Sequence, residues 1–203
     1  GCYAFNDWLT ASFMRPLLVG IPLLAALWLS PAAAEAPEAV DPALREALQR
    51  AVADARSFED RFEAEVWLLD MSRRLEPKVP DPAFRLELLK HVHYEARRAG
   101  LPPELVLAVI EVESNFNPFA ISSAGARGLM QVMPFWVKEI GRPDDSLFRV
   151  QTNLRYGCTI LRYYLDLEKG NLFHALARYN GSRGQRWYPA RVERAWKTRW
   201  FPQ

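Results

Sequence analysis

Leu105-Val106-Leu107-Ala108-Val109-Ile110-Glu111-Val112-Glu113-Ser114 is the stretch on which the fold turns. A helical segment apolar nearly all round is a buried one, because no face of it suits water. Glu113 closes the run, with Ile110 and Val109 three and four positions behind it on the same side. Its carboxyl group is therefore expected to leave a greasy helix and face a cleft. Loss of solvent disfavours the charged form and raises the pKa, so a proton stays available near neutrality, as a general acid requires. The same composition also suits a merely structural glutamate, hydrogen-bonded and inert.

The segments on either side read as helical too. Pro102 and Pro103 precede the buried run. Asp81 and Pro82 open a capped helix reaching Ala99 and closed by Gly100. Gln151 to Leu167 has helical apolar spacing, and Phe173 to Tyr179 forms a further short helix. Upstream, Asp41 and Pro42 begin a pattern in which Leu44, Leu48, Ala51, Ala55, Phe58, Phe62, Val66 and Leu69 recur at threes and fours on one face. Ser57 with Asp60 resembles a capping box that would divide this pattern into two helices. Such a stripe packs against the main domain or serves as a partner-binding arm. With no convincing alternating strands and no internal repeat, the fold class is mostly α.

A chain of 203 residues, half of them hydrophobic, can bury one core and carry appendages. Its net charge of +2 is too small to argue for nucleic acid, and no nucleic-acid-binding motif is present. The first 34 residues differ from the rest. Arg15 and Pro16 lead into an apolar run, Leu17 to Leu29, then Ser30, Pro31 and the triplet Ala32-Ala33-Ala34. That order is the layout of a secretory signal peptide cleaved after Ala34, with an uncleaved anchor as the competing reading. The run falls short of a membrane span, and Pro22 interrupts it. Met14 then becomes the candidate start, and residues 1–13 an upstream extension. Cys2 would leave with the leader and Cys158 would stand alone, buried and unable to form an internal disulfide. The expected organisation is 1–34 extension and signal peptide, 35–80 linker and helical extension, and 81–203 catalytic domain, with the two prolines of Glu76 to Pro80 marking the last boundary. The expected location is periplasmic, with no stable membrane insertion after processing.

Three blocks sharpen the reading of Glu113. Glu113-Ser114-Asn115-Phe116-Asn117-Pro118 is followed by Ser122, then by Gly125-Ala126-Arg127-Gly128-Leu129-Met130-Gln131-Val132-Met133-Pro134, and later by Ala177-Arg178-Tyr179-Asn180-Gly181. In order, content and spacing, from about Leu88 onward, this resembles the lytic transglycosylases of the soluble-transglycosylase (SLT) type, which share a goose-type-lysozyme-like catalytic domain. The resemblance implies that Glu113 is the catalytic acid/base and that Ser122, Gln131, Met133, Tyr179 and Asn180 line the sugar cleft. Ser122 and Gln131 have the groups to hydrogen-bond sugars, and Met133 offers a soft apolar contact. Tyr179 has a hydroxyl able to orient the carboxyl group or the leaving sugar, and Asn180 has an amide able to donate and accept. Tyr179 and Met133 also suit a core. Gly125 and Gly128 would let backbone approach the substrate closely.

Most glycosidases pair two carboxyl groups. Here Glu111 is two positions from Glu113, on roughly the opposite side of a helix, and Asp144 and Asp145 in a Gly-Arg-Pro loop look solvated. The resemblance implies a route with one acid, in which Glu113 protonates the oxygen between N-acetylmuramic acid and N-acetylglucosamine. The acetamido group then stabilises the sugar cation, and the C6 hydroxyl closes a 1,6-anhydro ring with no metal or cofactor. A hydrolytic muramidase of the same fold and a non-catalytic peptidoglycan-binding protein are the alternatives. Two departures from the family pattern, Arg178 and the Gly181-Ser182-Arg183-Gly184 run in the third block and Trp136 after Met133-Pro134, bear on subsite shape. His91, His93 and His174 lack metal-ligand spacing and suit surface or cap roles. Arg178 to Gln203 holds seven cations against Glu193, interleaved with aromatic residues. It reads as a solvated face over an aromatic core, or as a surface drawn to peptidoglycan carboxylates or anionic lipid.

Overall fold

The helix expected after Asp81 and Pro82 runs Pro82–Arg98, and the Asp81 side chain accepts a hydrogen bond from the Ala83 N–H at 3.0 Å. The computed structural model describes residues 61–201. The leader, the linker and the helical pattern up to Asp60 lie outside the described residues. In chain order the helices are α1 (Arg61–Leu75), α2 (Pro82–Arg98), α3 (Pro103–Ser114), α4 (Phe135–Ile140), α5 (Val150–Leu167), α6 (Leu172–Tyr179) and α7 (Trp187–Ala195), ending in a π-helical turn, Trp196–Trp200. Among the described residues there is no strand, only two isolated bridges, Ile121 with Arg127 and Arg127 with Val132.

Helix α3 is the central element. Leu105 to Ile110 are all buried, and each large apolar side chain so removed from water stabilises the fold by about 1.5–3 kcal/mol. Helices α2 and α7 and the π-helical turn pack on α3; α5 packs on α2, and α6 bridges α5 and α7. The α1–α2 connection is held by a buried arginine. Arg85 donates to Ser72 Oγ at 2.9 Å and to the carbonyls of Val79 and Pro80 at 2.7 and 3.0 Å, so a charge inside the fold is fully partnered.

Helix α1 packs against α2 and the π-helical turn, but by a different face from the one its sequence suggests. Phe62 and Val66 are 76% and 52% exposed, whereas Ala64, Leu68, Met71 and Leu75 are buried. Both stripes have helical spacing. The contacts that α2 and the C-terminal turn supply select the second, smaller-looking one.

Candidate active site

The end of α3 and the loop after it are knotted together. Ser114 donates through Oγ to the carbonyl of Leu129 at 2.8 Å, joining the first motif block to the second. Asn115, at φ 48°, is the left-handed C-cap of α3, and its side chain accepts from Lys78 at 2.6 Å. Phe116, also at positive φ, is buried against Trp200 with ring centroids 5.4 Å apart. Non-glycine residues held at positive φ carry strain that surrounding contacts must offset. Here those contacts tie the acid-bearing helix end to the C-terminal turn.

The second block is held from beneath by Asn153 of α5, which is buried. Its amide donates to the carbonyls of Arg127 and Leu147, both at 2.8 Å, and its oxygen accepts from the Met130 N–H at 2.8 Å. Gly128 lies against this amide. A Cβ there would sit 2.3 Å from Asn153 Nδ2 and 2.4 Å from the Leu147 carbonyl, at φ +76°. The close approach at Gly128 is therefore to the protein's own Asn153, not to a ligand, while Gly125 has open space around it.

Glu113 opens into a cleft of about 700 Å³, lined among others by Ser122, Gln131, Ile121, Arg191, Arg194 and Arg199. Its Oε1 accepts a 2.5 Å hydrogen bond from the hydroxyl of Tyr188 in α7. Burial pushes the carboxyl group up from 4.5 to about 7, against the opposing pull of the Tyr188 hydrogen bond and the Arg191 charge. The acid is thus poised to hold its proton near neutrality.

Of the residues expected around the acid, Ser122 and Gln131 line the same cleft, and Met133, Tyr179 and Asn180 are not among its lining residues. Ser122 Oγ accepts from the Ala126 N–H at 3.1 Å. Gln131, at φ 50°, donates through Nε2 to the carbonyls of Ala120 and Gly128 at 3.2 and 2.9 Å. Tyr179 donates to the Met130 carbonyl at 2.7 Å, so its hydroxyl braces the second block from within. Asn180 caps α6 through its backbone, and Met133, half-buried, supplies the carbonyl that starts α4. The tyrosine that holds the acid is Tyr188, which the motif reading passed over. One signal for it was present: Tyr188, Val192 and Ala195 form the buried stripe of α7 inside a cationic run.

Glu111 does not point away from the acid; it lines the same cleft. Burial would raise its pKa, but the Arg199 and Trp200 hydrogen bonds, at 2.8 and 2.7 Å, and the nearby Lys78 charge prevail and hold it below the ordinary value. It is a charged anchor and not a second proton carrier. Asp144 is exposed and Asp145 partly so. Asp145 accepts from the Tyr156 hydroxyl at 2.6 Å and from the Arg142 N–H, which keep it ionised. Neither Asp144 nor Asp145 lines the cleft.

His93 is also no surface residue. It is buried, edge-on to Trp67 at 4.9 Å, and burial with the Arg97 charge lowers its pKa to about 4. His91 and His174 lie against Glu87 and Glu168. No cluster of three or more metal-ligating side chains occurs among the described residues.

Fold and site together define an all-helical domain with one proton-holding carboxyl group lining an open polar cleft. The family described as the Transglycosylase SLT domain matches residues 90–199, more than half of the chain, and the chain belongs to that family. Membrane-bound lytic murein transglycosylase C of Actinobacillus pleuropneumoniae serotype 5b is 52% identical over 48 residues, 24% of this chain and 13% of that protein. The Transglycosylase of Enterobacteria phage PRD1 is 37% identical over 86 residues, 42% of this chain and 31% of that protein. Among solved structures, the lytic transglycosylase Slt of Pseudomonas aeruginosa aligns with a TM-score of 0.43 at 24% identity, covering 80% of this chain and 32% of that one. The matched part of the chain spans less than a third of each of these relatives.

Proposed function

We propose that this chain is a peptidoglycan lytic transglycosylase that cleaves the β-1,4 bond between N-acetylmuramic acid and N-acetylglucosamine, with Glu113 as its one acid/base. The observation that carries this reading is the pairing of Glu113, pushed up to about 7, with Tyr188 in a cleft whose other carboxylate is already neutralised by cations. Glu113 gives its proton to the glycosidic oxygen, and the bond from C1 to that oxygen breaks. The substrate's acetamido group stabilises the cation left at C1. Glu113, now a carboxylate, takes the proton of the C6 hydroxyl as that oxygen bonds to C1 and closes the 1,6-anhydro ring. Ser122 and Gln131, which line the cleft, would contact the sugars, and Met133 and Asn180 would complete the binding surface once a strand is bound. Tyr179 supports it from behind. The order of residues from Arg15 to Ala34 supports export to the periplasm, where the substrate lies. Among the described residues no helix is long and apolar enough to cross a membrane.

Mass spectrometry of digested sacculi tests the proposal. Wild type is expected to release products one water lighter than hydrolytic muropeptides, and Glu113→Gln none. Products carrying the added water would identify a hydrolytic muramidase instead. Equal behaviour of wild type and Glu113→Gln would leave only a binding role.

A further inference from the structure

Helix α7 presents one stripe to the cleft. Arg191 and Arg194 stand three positions apart on it, and Arg191 follows the buried Tyr188 by three, so helical rise sets the two arginine positions about 4.5 and about 9 Å along the axis from the residue that holds the acid. Tyr188 binds Glu113, and Arg191 and Arg194 line the cleft beside it. The third arginine of this wall, Arg199, is already neutralised by Glu111, which Lys78 also approaches at 3.3 Å. Glu193, their neighbour on α7, pairs with Lys197. Arg191 and Arg194 are exposed and close no ion pair among the described residues. With Glu113 protonated, the cleft sets three guanidinium groups against a single ionised carboxylate. Two like charges three positions apart on a helix repel each other, a cost that an anionic ligand would remove.

We propose that Arg191 and Arg194 form an anion subsite for the carboxylates of the peptides borne by the glycan strand, beside the bond on which Glu113 acts; this rests on the transglycosylase reading above. A guanidinium fork binds a carboxylate through two parallel hydrogen bonds, a match that sugar hydroxyls lack. The position inside the cleft selects the source. A membrane surface does not enter a groove of this size, whereas a peptide attached to the strand being cleaved is carried in with it. Ile121, 65% exposed and also lining the cleft, gives an apolar edge against which the strand can rest.

The test compares glycan strands carrying native peptides with the same strands after their carboxylates have been converted to primary amides. For wild type, kcat/KM is expected to be about tenfold higher on native strands, the ratio falling as salt rises. In R191Q/R194Q the native-to-amidated ratio is expected to collapse to about one. In R191K/R194K, which keeps the charge, at least about a threefold preference should survive, showing a folded enzyme. An undiminished ratio in R191Q/R194Q, or a ratio of one in wild type, overturns the subsite while leaving the transglycosylase reading intact. Absence of cleavage of both strands by wild type overturns both.

Discussion

Glu113 sits where its proposed function and the stability of the fold oppose each other. The folded chain keeps on this group a proton that the unfolded chain releases above about 4.5. Stability is therefore fully present below that pH, falls as pH rises through about 7, and stays lower beyond. Glu113→Gln removes the titration. It is expected to exceed wild type by roughly 2 kcal/mol in urea unfolding at pH 8 and to match it near pH 4, while its turnover falls about 10²–10⁴-fold. Equal margins at both pH values would refute the buried, proton-holding carboxyl. Tyr188→Phe tests the neighbouring bond. Its hydroxyl and the Arg191 charge both favour the carboxylate, whereas the proposed mechanism starts from the protonated acid. Losing the hydroxyl should move the basic limb of the pH–kcat profile to higher pH, while the carboxyl group, no longer held in place, lowers the plateau kcat about tenfold. A limb that moved down or stayed fixed would argue against the contact.

The elements differ in how far their sequence foretold them. Helices α2, α3, α5 and α6 were legible within a residue or so at most ends, because caps, prolines and apolar spacing all act locally. The buried face of α1 was not, since Phe62 and Val66 look better suited to a core than Ala64 and Ser72, and only the partner helices decide between them. Helix α7 was hidden for a similar reason. Its run of arginines reads as a solvated face, and nothing nearby in sequence says that Tyr188 reaches α3. The proton-holding carboxyl group of Glu113 facing a cleft was legible from its apolar helix, but the state of Glu111 depended on Lys78, Arg199 and Trp200, which lie far from it in the chain. The prediction that belongs to this scale concerns Asn153. Asn153→Ala deletes three hydrogen bonds beneath the second motif block and orphans the Leu147 carbonyl and the Met130 N–H, the Arg127 carbonyl keeping only its bond from the Val132 N–H, so urea unfolding should show a loss of about 3 kcal/mol. A loss below about 1 kcal/mol would mean that the loop holds its own shape.

At the scale of the whole molecule, the core spans residues from Ala64 of α1 to Trp200 of the C-terminal turn. Cys158 lies inside it, fully buried, and burial pushes its thiol above the ordinary range. Alkylation of the Cys158 peptide, followed by mass spectrometry, is expected to proceed only as fast as the fold opens globally; rapid labelling under native conditions would show a looser core than the packing implies. The hydrogen bond between Tyr188 and Glu113 spans 75 positions of the chain. A nascent polypeptide emerging N-terminus first displays its glutamate long before α7 can be synthesised and dock. Until that late docking, the carboxylate stands in water as an ordinary acid without a proton to give, so the bond-breaking chemistry proposed for Glu113 stays switched off until folding is essentially finished.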